Sequence, residues 1–399
     1  MEPKKTKDLK EAFLRSRTID AELNEERKKK QREVQLLTLG SAGSGKSTFS
    51  KQLRVLYGDG FPEAERVKLR PNVYSNVRVA IKRLVRAMEK LGIQFEREES
   101  KQNSLCFLAG VFRRECWNAA LGLARCCLRG LQWLDPEMGD AQDLSENLVS
   151  VENGQHCYEL CADDKLSLEE TVAIRALWQD KGVQDAWEQR HLYHLAESAK
   201  YFLDNIDQIS TETYIPSVQD ILYIRLPTTA IEEHEFSVNG LTYRVIDVAG
   251  QKSQRKKWIH FFEGVTAVLF FTALSGFNEL MDDDDKVNCL HDSLDLFRDL
   301  AYNKWLEQTD FILFLNKHDL FVEKLKTTSI KSCFPHYDGP NTPEDCTDFI
   351  QGEFLKRKPV KKTVYPHITC ATDTNLMKTI ISDVHNIIVD INLRRVALL

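Results

Sequence analysis

A glycine-rich octapeptide near the N-terminal end of the sequence constrains the fold more than any other segment. It reads GSAGSGKS, spans residues 40–47 and fits the pattern G-x-x-x-x-G-K-[ST]. The apolar, β-rich run 34–39 precedes it, and a helical pattern over 47–56 follows it. A loop of this kind between a strand and a helix points successive backbone N–H groups at phosphate oxygens. The sequence therefore predicts a domain that binds a nucleoside triphosphate.

Each residue type in this loop has a distinct expected role. Gly40 and Gly45 permit the tight path of the backbone, Lys46 reaches the β- and γ-phosphates, and the Ser47 hydroxyl ligates Mg²⁺. The match predicts a bound triphosphate but leaves its base open. The loop residues predicted to bind the nucleotide are Gly40, Ser41, Ala42, Gly43, Ser44, Gly45, Lys46, Ser47 and Thr48.

The tetrapeptide NKHD, residues 316–319, directly follows the apolar run 311–315 and selects among the bases. A carboxylate at Asp319 accepts hydrogen bonds from both the N1–H and the exocyclic N2–H of guanine, which adenine does not offer. A second loop, TCAT at 369–372, is placed to close the base pocket through the backbone of Ala371. The predicted guanine-binding residues are Asn316 at the ring edge, Lys317 over the ring face, Asp319, Cys370 and Ala371.

Two further segments supply groups for chemistry at the γ-phosphate. In DVAGQ, residues 247–251, Asp247 can hold Mg²⁺ through water, the Gly250 N–H can contact the γ-phosphate, and Gln251 can orient the attacking water. In RLPTT, residues 225–229, Thr228 can add a second hydroxyl on Mg²⁺, and Arg225 can stabilise the transferring phosphoryl group, an effect worth about 10³–10⁵ in rate. We predict that the catalytic residues are Arg225 and Gln251 and that the metal ligands are Ser47, Thr228 and, through water, Asp247.

Strand and helix patterns alternate on both sides of a long helical stretch. Strand patterns occur at 34–39, 237–246, 267–274 and 311–315, and helical patterns at 47–56, 289–305 and 375–393. Between them, residues 60–215 carry mainly helical patterns, which are clearest at 77–91, 169–179 and 196–209. This order predicts an α/β domain with a largely parallel sheet and an all-helical block inserted after its first helix.

Composition narrows the functional class. The net charge of −6 argues against a general nucleic-acid binder, and no apolar run approaches the ~18 residues that a membrane span needs. The ten cysteines are expected to remain thiols in a reducing cytosol. The highly charged residues 1–33 predict one exposed amphipathic helix after Pro3.

Longer stretches of the sequence resemble one family. The segment DVAGQKSQRKKWIHFFEG at 247–264 is similar, almost residue for residue, to the second switch of heterotrimeric G-protein α subunits. FLNKHDLF, TCATDT, YIPSVQDIL and LWQDKGVQDAW also resemble sequences of that family, and the likeness extends from about residue 15 to 399. It is interrupted near 111–166, where residues 112–134 are expected to form an extra helix or two that packs on the helical part.

The resemblance implies a Ras-like P-loop GTPase domain at 34–59 and 216–399, an inserted all-helical domain at 60–215 that covers the nucleotide, and an N-terminal helix at 1–33. Leu222 through Thr228 would form the first switch, and Glu197 and Ser198 would face the nucleotide or the cleft. Ser198 and Leu222 therefore join the predicted nucleotide-binding residues.

A signalling function follows from the same resemblance. The protein is expected to alternate between GTP-bound and GDP-bound states with intrinsic hydrolysis and to couple a membrane receptor to an effector of unknown identity. The N-terminal helix and the second-switch residues 252–258 would bind a βγ dimer, and the C-terminal tail would bind a G protein-coupled receptor.

The sequence departs from the family within the expected site. Family members usually carry glycine at the positions of Ala42 and Ala249 and glutamate at the position of Gly43. The absent carboxylate would pair with Arg225 across the nucleotide, so we expect looser GDP and faster exchange. The Ala42 methyl would press toward the γ-phosphate, and a misplacement of about 1 Å can cost ~10²-fold in rate. We therefore expect slower hydrolysis as well. At Ala249, we expect the alanine to affect the reorientation of the second switch.

The N-terminus departs too, because residue 2 is Glu2, whereas N-myristoylation requires glycine there. The first cysteine is Cys106, so the usual N-terminal palmitoylation site is also absent. We expect a cytoplasmic protein that reaches the inner face of the plasma membrane as a peripheral component, through its partners.

Two alternatives differ in class from a GTP-hydrolysing switch. A G-protein-like scaffold would bind guanine nucleotide with little or no hydrolysis, and Ala42 and Gly43 favour it. A P-loop ATPase or kinase is disfavoured by Asn316 and Asp319. The presence of Arg225, Thr228 and Gln251 favours the enzyme.

Overall fold

The computed structural model describes residues 33–109, 165–226, 231–281 and 284–397, together with Arg15 and Arg17. Within these residues a six-stranded sheet and a group of helices with its own apolar core can be distinguished. Nearly all of the predicted N-terminal helix at 1–33 and of the segment 111–166 lies outside the described residues, as does Thr228.

The six-stranded sheet has the order β2-β3-β1-β4-β7-β8. Every neighbouring pair is parallel except β2 with β3, so the expected largely parallel sheet is confirmed. Two short strands, β5 and β6, form a separate antiparallel pair. The strands are β1 Glu33–Gly40, β2 Glu232–Val238, β3 Leu241–Asp247, β4 Ala267–Ala273, β5 Leu280–Met281, β6 Asp284–Asn288, β7 Asp310–Asn316 and β8 Val364–Ile368.

The central strands β1, β4 and β7 are apolar along most of their length because helices cover both faces of the sheet. One core contains Phe49 and Ile388, and the core on the other face contains Phe297 and Phe354. The helices that belong to this part are α1 Lys46–Tyr57, α9 Cys289–Ala301, α10 His318–Leu325, α11 Pro343–Lys356 and α12 Thr374–Ala397.

The described residues between α1 and β2 form helices and their connections, which we call the helical block (residues 63–109 and 165–224). Its core is separate from those of the sheet and includes Val77, Ile174 and Phe202. Side-chain caps set several helix starts, as where Ser217 and Asp220 form a reciprocal capping box. Its helices are α2 Glu63–Leu91, α3 Glu98–Ala109, α4 Leu168–Trp178, α5 Lys181–Glu188, α6 Ala199–Asp204, α7 Ile206–Ile209 and α8 Val218–Tyr223.

Three local expectations were wrong. The strand expected over 237–246 is a hairpin of β2 and β3, whose turn at Asn239 and Gly240 has positive φ angles of 49° and 81°. An Asn-Gly pair with this geometry is typical of a two-residue hairpin turn. Helix α2 begins at Glu63 rather than near residue 77 and continues through Pro71. The helix expected over 196–209 is two short helices that are interrupted at Asn205.

The described helices include none that is both long and apolar enough to cross a membrane.

A buried ion pair within the helical block gives a test of its stability. Arg78 Nε lies 2.6 Å from Glu170 Oε1, and both side chains are less than one-tenth exposed. We expect Glu170→Ala to lower the free energy of unfolding by about 3–5 kcal/mol, because it removes a carboxylate that accepts two hydrogen bonds from the buried guanidinium. Urea unfolding, followed by tryptophan fluorescence, measures the loss.

Arg298→Ala is the matched control, since Arg298 pairs with the exposed Asp295 and Asp299 on α9. This variant should change the free energy of unfolding by about 0.5 kcal/mol or less. Equal losses for the two variants would contradict the expectation.

Candidate functional site

The loop between β1 and α1 follows a backbone path that excludes side chains at two glycines. Gly40 has φ +140°, and a Cβ added there would lie 2.1 Å from the carbonyl oxygen of Phe271. Gly45 has φ +103°, and its added Cβ would lie 2.0 Å from Nδ2 of Asn316. Distances below 3 Å cannot be accommodated without displacement, so both positions require glycine. Close packing of the neighbouring strand and loops thus fixes the shape of the phosphate loop.

The Lys46 ammonium group lies against the backbone of this loop. It donates hydrogen bonds to the carbonyl oxygens of Gly40 at 3.0 Å and Ser41 at 2.8 Å. Burial lowers the pKa of Lys46 to about 8. The Ser41 hydroxyl lies 2.9 Å from that of Ser293 on α9, which joins the loop to the helix behind it. A cation is therefore held at the loop where phosphate oxygens are expected.

Asp247, at the end of β3, offers a carboxylate oxygen suited to a metal ion. Its Oδ1 accepts a hydrogen bond from the Thr38 hydroxyl at 2.9 Å, while its buried Oδ2 has no hydrogen-bond partner among the described residues. Burial raises the pKa of Asp247, although the neighbouring Lys46 acts in the opposite direction. Together with the Ser47 hydroxyl, this oxygen is the kind of ligand that Mg²⁺ prefers. The residues present therefore fit the predicted Mg²⁺ site.

The segment after β3 touches the phosphate loop. An added Cβ at Gly250 would lie 2.5 Å from Nζ of Lys46, so the backbone passes directly over the lysine. Gln251 follows, just before the 3₁₀ helix Lys252–Phe261.

Two side chains of this 3₁₀ helix form further contacts. The Arg255 guanidinium forms two hydrogen bonds to Asp292 on α9, at 3.0 and 2.5 Å. The buried Trp258 donates its Nε1–H to the carbonyl of Ala249 at 3.0 Å. The segment 249–258, which carries Gln251, is thus joined to α9 through Arg255 and closed on itself through Trp258.

Asn316 joins two loops that sequence analysis assigned separately to the phosphates and the base. Its Nδ2 donates to the Ser44 carbonyl at 2.8 Å, and its Oδ1 accepts from the Ala371 N–H and the Thr369 hydroxyl, both at 3.0 Å. On the far side of this loop, Gln52 of α1 donates to the Ala371 carbonyl at 3.0 Å. Asn316 therefore positions protein groups, a role that its spacing in NKHD did not reveal.

The next residue, Lys317, links the base loop to the helical block. It has φ +61°, which is unusual for a residue other than glycine, and its ammonium pairs with the Glu197 carboxylate. Glu197 also accepts a hydrogen bond from Ser275, which follows β4, at 2.6 Å. Asp319 lies in the first turn of α10 with an exposed side chain, where its carboxylate is accessible to a ligand.

Arg225, the arginine of the predicted first switch, faces the phosphate loop at Gly43. A Cβ added at Gly43 would stand 3.9 Å from both terminal nitrogens of Arg225. Arg225 follows α8, and Lys51 of α1 donates to the Ile224 carbonyl of the preceding residue at 2.9 Å. The phosphate loop and the arginine thus face each other. The hydrogen bonds of Lys51 and Gln52 carry no sequence signal, because both residues simply continue the helical pattern of α1.

One large cleft collects most of the predicted residues. Gly40, Ser44 and Asp247 are buried behind its surface, and Thr228 lies outside the described residues. The predicted residues that line it are Ser41, Ala42, Gly43, Gly45, Lys46, Ser47, Thr48, Ser198, Leu222, Arg225, Gly250, Gln251, Asn316, Lys317, Asp319, Cys370 and Ala371.

The contact between Gly45 and Asn316 can be tested against a matched glycine. Gly45→Ala should weaken guanine-nucleotide binding about 10²-fold, because displacing Asn316 breaks three hydrogen bonds of about 1 kcal/mol each. Gly60 also has a positive φ, +62°, but an added Cβ there meets nothing within 4 Å. Gly60→Ala should therefore leave affinity unchanged. Titration with a fluorescent GDP measures both, and equal losses would disprove the clash.

Comparison with protein families places this site in a known group. A sequence profile described as G-protein alpha subunit matches residues 14–388, which is nearly the whole chain. The match covers the phosphate loop, both switch segments and both base loops described above. Members of this family bind guanine nucleotide and typically Mg²⁺. The chain belongs to the family of G-protein α subunits.

Proposed function

We propose that this protein is a molecular switch that binds GTP with Mg²⁺, hydrolyses it to GDP, and couples a membrane receptor to an effector. The observation that supports it most directly is the position of Arg225, whose terminal nitrogens face the phosphate loop at Gly43. Gln251 lines the same cleft, on the segment that crosses Lys46. A pure binding module has no need for both groups beside the phosphates.

Hydrolysis follows from the placement of these groups. Loop N–H groups and Lys46 bind the β- and γ-phosphates. Ser47, Thr228 and Asp247 (through water) would hold Mg²⁺, which would neutralise charge on the phosphate oxygens. Gln251 orients a water for in-line attack on the γ-phosphorus. The bond to the β–γ bridging oxygen breaks, GDP leaves, and Arg225 stabilises the charge that develops. Asp319, the stem of Lys317 and the 370–371 backbone hold the guanine.

We also propose that the helical block up to residue 215, that is, without α8, is part of an inserted domain, residues 60–215, that covers the nucleotide. Two ion pairs between the helical block and the rest of the protein support this: Lys317 with Glu197, and Arg190 with Glu323 at 2.8 Å. Release of GDP then requires these contacts to separate. The Ras-like GTPase domain would comprise residues 34–59 and 216–399.

The partners are proposed from family membership. A βγ dimer would bind the N-terminal helix at 1–33 and the second switch around 252–258, and a G protein-coupled receptor would bind the C-terminal tail. These partners would also hold the protein at the inner face of the plasma membrane.

Single-turnover hydrolysis of GTP by the purified protein with Mg²⁺ tests the proposal. We expect Arg225→Ala to lower the rate by about 10³-fold or more, and Gln251→Leu to lower it strongly while GTP still binds. Excess ATP should not compete. Stable GTP binding by the wild type without hydrolysis would refute the enzyme and support the scaffold, for which Ala42→Gly would be the first reversion.

The position of Gly43 predicts a change in GDP release. In Gly43→Glu, the new Cβ would stand 3.9 Å from both terminal nitrogens of Arg225, so its carboxylate can pair with the guanidinium. A partly exposed pair worth about 0.5–1 kcal/mol should slow GDP release two- to fivefold, measured with a fluorescent GDP.

Gly43→Gln has the same shape and the same backbone strain at positive φ, but no charge, and should not slow release. If the two variants behave alike, the missing carboxylate does not explain exchange.

A further inference from the structure

A buried asparagine of the helical block holds the backbone of the residue proposed above as the arginine finger. Asn76 lies in α2 and is 6 % exposed. Its Oδ1 accepts a hydrogen bond from the Arg225 N–H at 3.0 Å, and its Nδ2 donates to the Arg225 carbonyl at 3.2 Å. One side-chain amide thus satisfies both polar backbone groups of Arg225, as a neighbouring strand would.

The orientation of this amide is itself fixed. Nδ2 also donates to the carbonyl oxygen of Asn72, one turn earlier in α2, at 2.8 Å. That second bond determines which end of the amide is the donor and directs Oδ1 toward the Arg225 N–H. The asparagine therefore presents one donor and one acceptor in a set order.

The chain on the N-terminal side of Arg225 is held from the other direction. Lys51 of α1 donates to the carbonyls of Ile221 and Ile224 at 2.8 and 2.9 Å, and the capping box at Ser217 begins the preceding helix. Residues 221–225 consequently lie between α1, which starts at the phosphate loop, and α2. The guanidinium extends from this fixed point to the loop at Gly43.

We propose that Asn76 is a positioning residue for hydrolysis, which fixes the backbone of Arg225 so that its guanidinium meets the transferring phosphoryl group. This inference rests on the proposed GTPase function. An arginine side chain has several rotatable bonds, and a misplacement of about 1 Å at a reacting group can cost ~10²-fold in rate. Fixing the backbone removes part of the disorder that would otherwise have to be lost in the transition state.

A positioning role and a purely structural role predict different effects on nucleotide binding and on hydrolysis. A residue that only stabilises the fold would alter nucleotide binding, melting temperature and hydrolysis together, and would do so whether or not position 225 is arginine. A positioning residue acts through the arginine. Its loss should lower the hydrolysis rate, change the affinity for a non-hydrolysable GTP analogue little, and have no effect once the guanidinium is absent.

The test is a double-mutant cycle of Asn76→Ala and Arg225→Ala in the full chain, measured by single-turnover GTP hydrolysis. We expect Asn76→Ala to lower the rate 10- to 100-fold, with less than about a threefold change in GTPγS affinity. In the Arg225→Ala background it should have no further effect. Additive losses in the two backgrounds would overturn the proposal.

Two further variants control for folding. Ser75 is the buried neighbour of Asn76 on the same helix, and its hydroxyl has no hydrogen-bond partner in the described part of the chain. Ser75→Ala removes only this hydroxyl and should leave hydrolysis unchanged. Asn76→Asp keeps the shape and the acceptor but loses the donor to the Arg225 carbonyl, so it too should slow hydrolysis. If both Asn76→Asp and Asn76→Ala hydrolyse GTP at the wild-type rate, the proposal is overturned.

Capture of fluoroaluminate by the GDP complex, a mimic of the transferring phosphoryl group, separates this proposal from the underlying function. If the wild type hydrolyses GTP and captures fluoroaluminate, while Asn76→Ala captures it equally well, only the positioning role fails. If the wild type neither hydrolyses GTP nor captures fluoroaluminate, the proposed function fails, and the positioning role fails with it.

Discussion

The arrangement of the site depends on the close approach of one amide side chain to one glycine. Because Gly45 has no Cβ, the amide of Asn316 can lie on the phosphate loop and donate to the Ser44 carbonyl. The same amide accepts hydrogen bonds from Thr369 and Ala371. A single planar group thus sets the distance between the loop that holds phosphates and the loops that hold the base. A nucleotide can bridge them only because that distance is fixed before it arrives.

The direction of the strands explains why these loops meet at all. In a parallel sheet all carboxyl ends lie at one edge, and ligands bind there. Here β1 ends at Gly40, β3 at Asp247, β7 at Asn316 and β8 just before Thr369. The sheet therefore brings groups from distant parts of the sequence to one edge, and the helices between the strands serve mainly to return the chain for the next strand.

The sequence predicted the features that local chemistry determines. The phosphate loop, the DVAGQ segment and NKHD each need particular residues at fixed spacing, so their positions and the surrounding parallel sheet were predictable. The hairpin turn at Asn239 and Gly240 also has a local signal, since an Asn-Gly pair is typical of such turns, but the strand pattern over 237–246 was interpreted as continuous. Asn76 could not be found in this way, since it is 149 positions from Arg225 and reads as one more residue of an amphipathic helix. Contacts that depend on tertiary packing leave no local signature.

The contacts between the helical block and the rest of the protein differ in electrical character. Asn76 with Arg225 is a neutral backbone contact, whereas Lys317 with Glu197 and Arg190 with Glu323 are ion pairs. The Glu323 side chain is 51 % exposed and the Glu197 side chain 23 %. Dissolved ions therefore screen the Arg190–Glu323 pair more strongly than the Lys317–Glu197 pair. Rising ionic strength should therefore weaken the Arg190–Glu323 pair at α10 first and the Lys317–Glu197 pair after it, whereas the neutral hydrogen bonds between Asn76 and Arg225 are far less sensitive to salt.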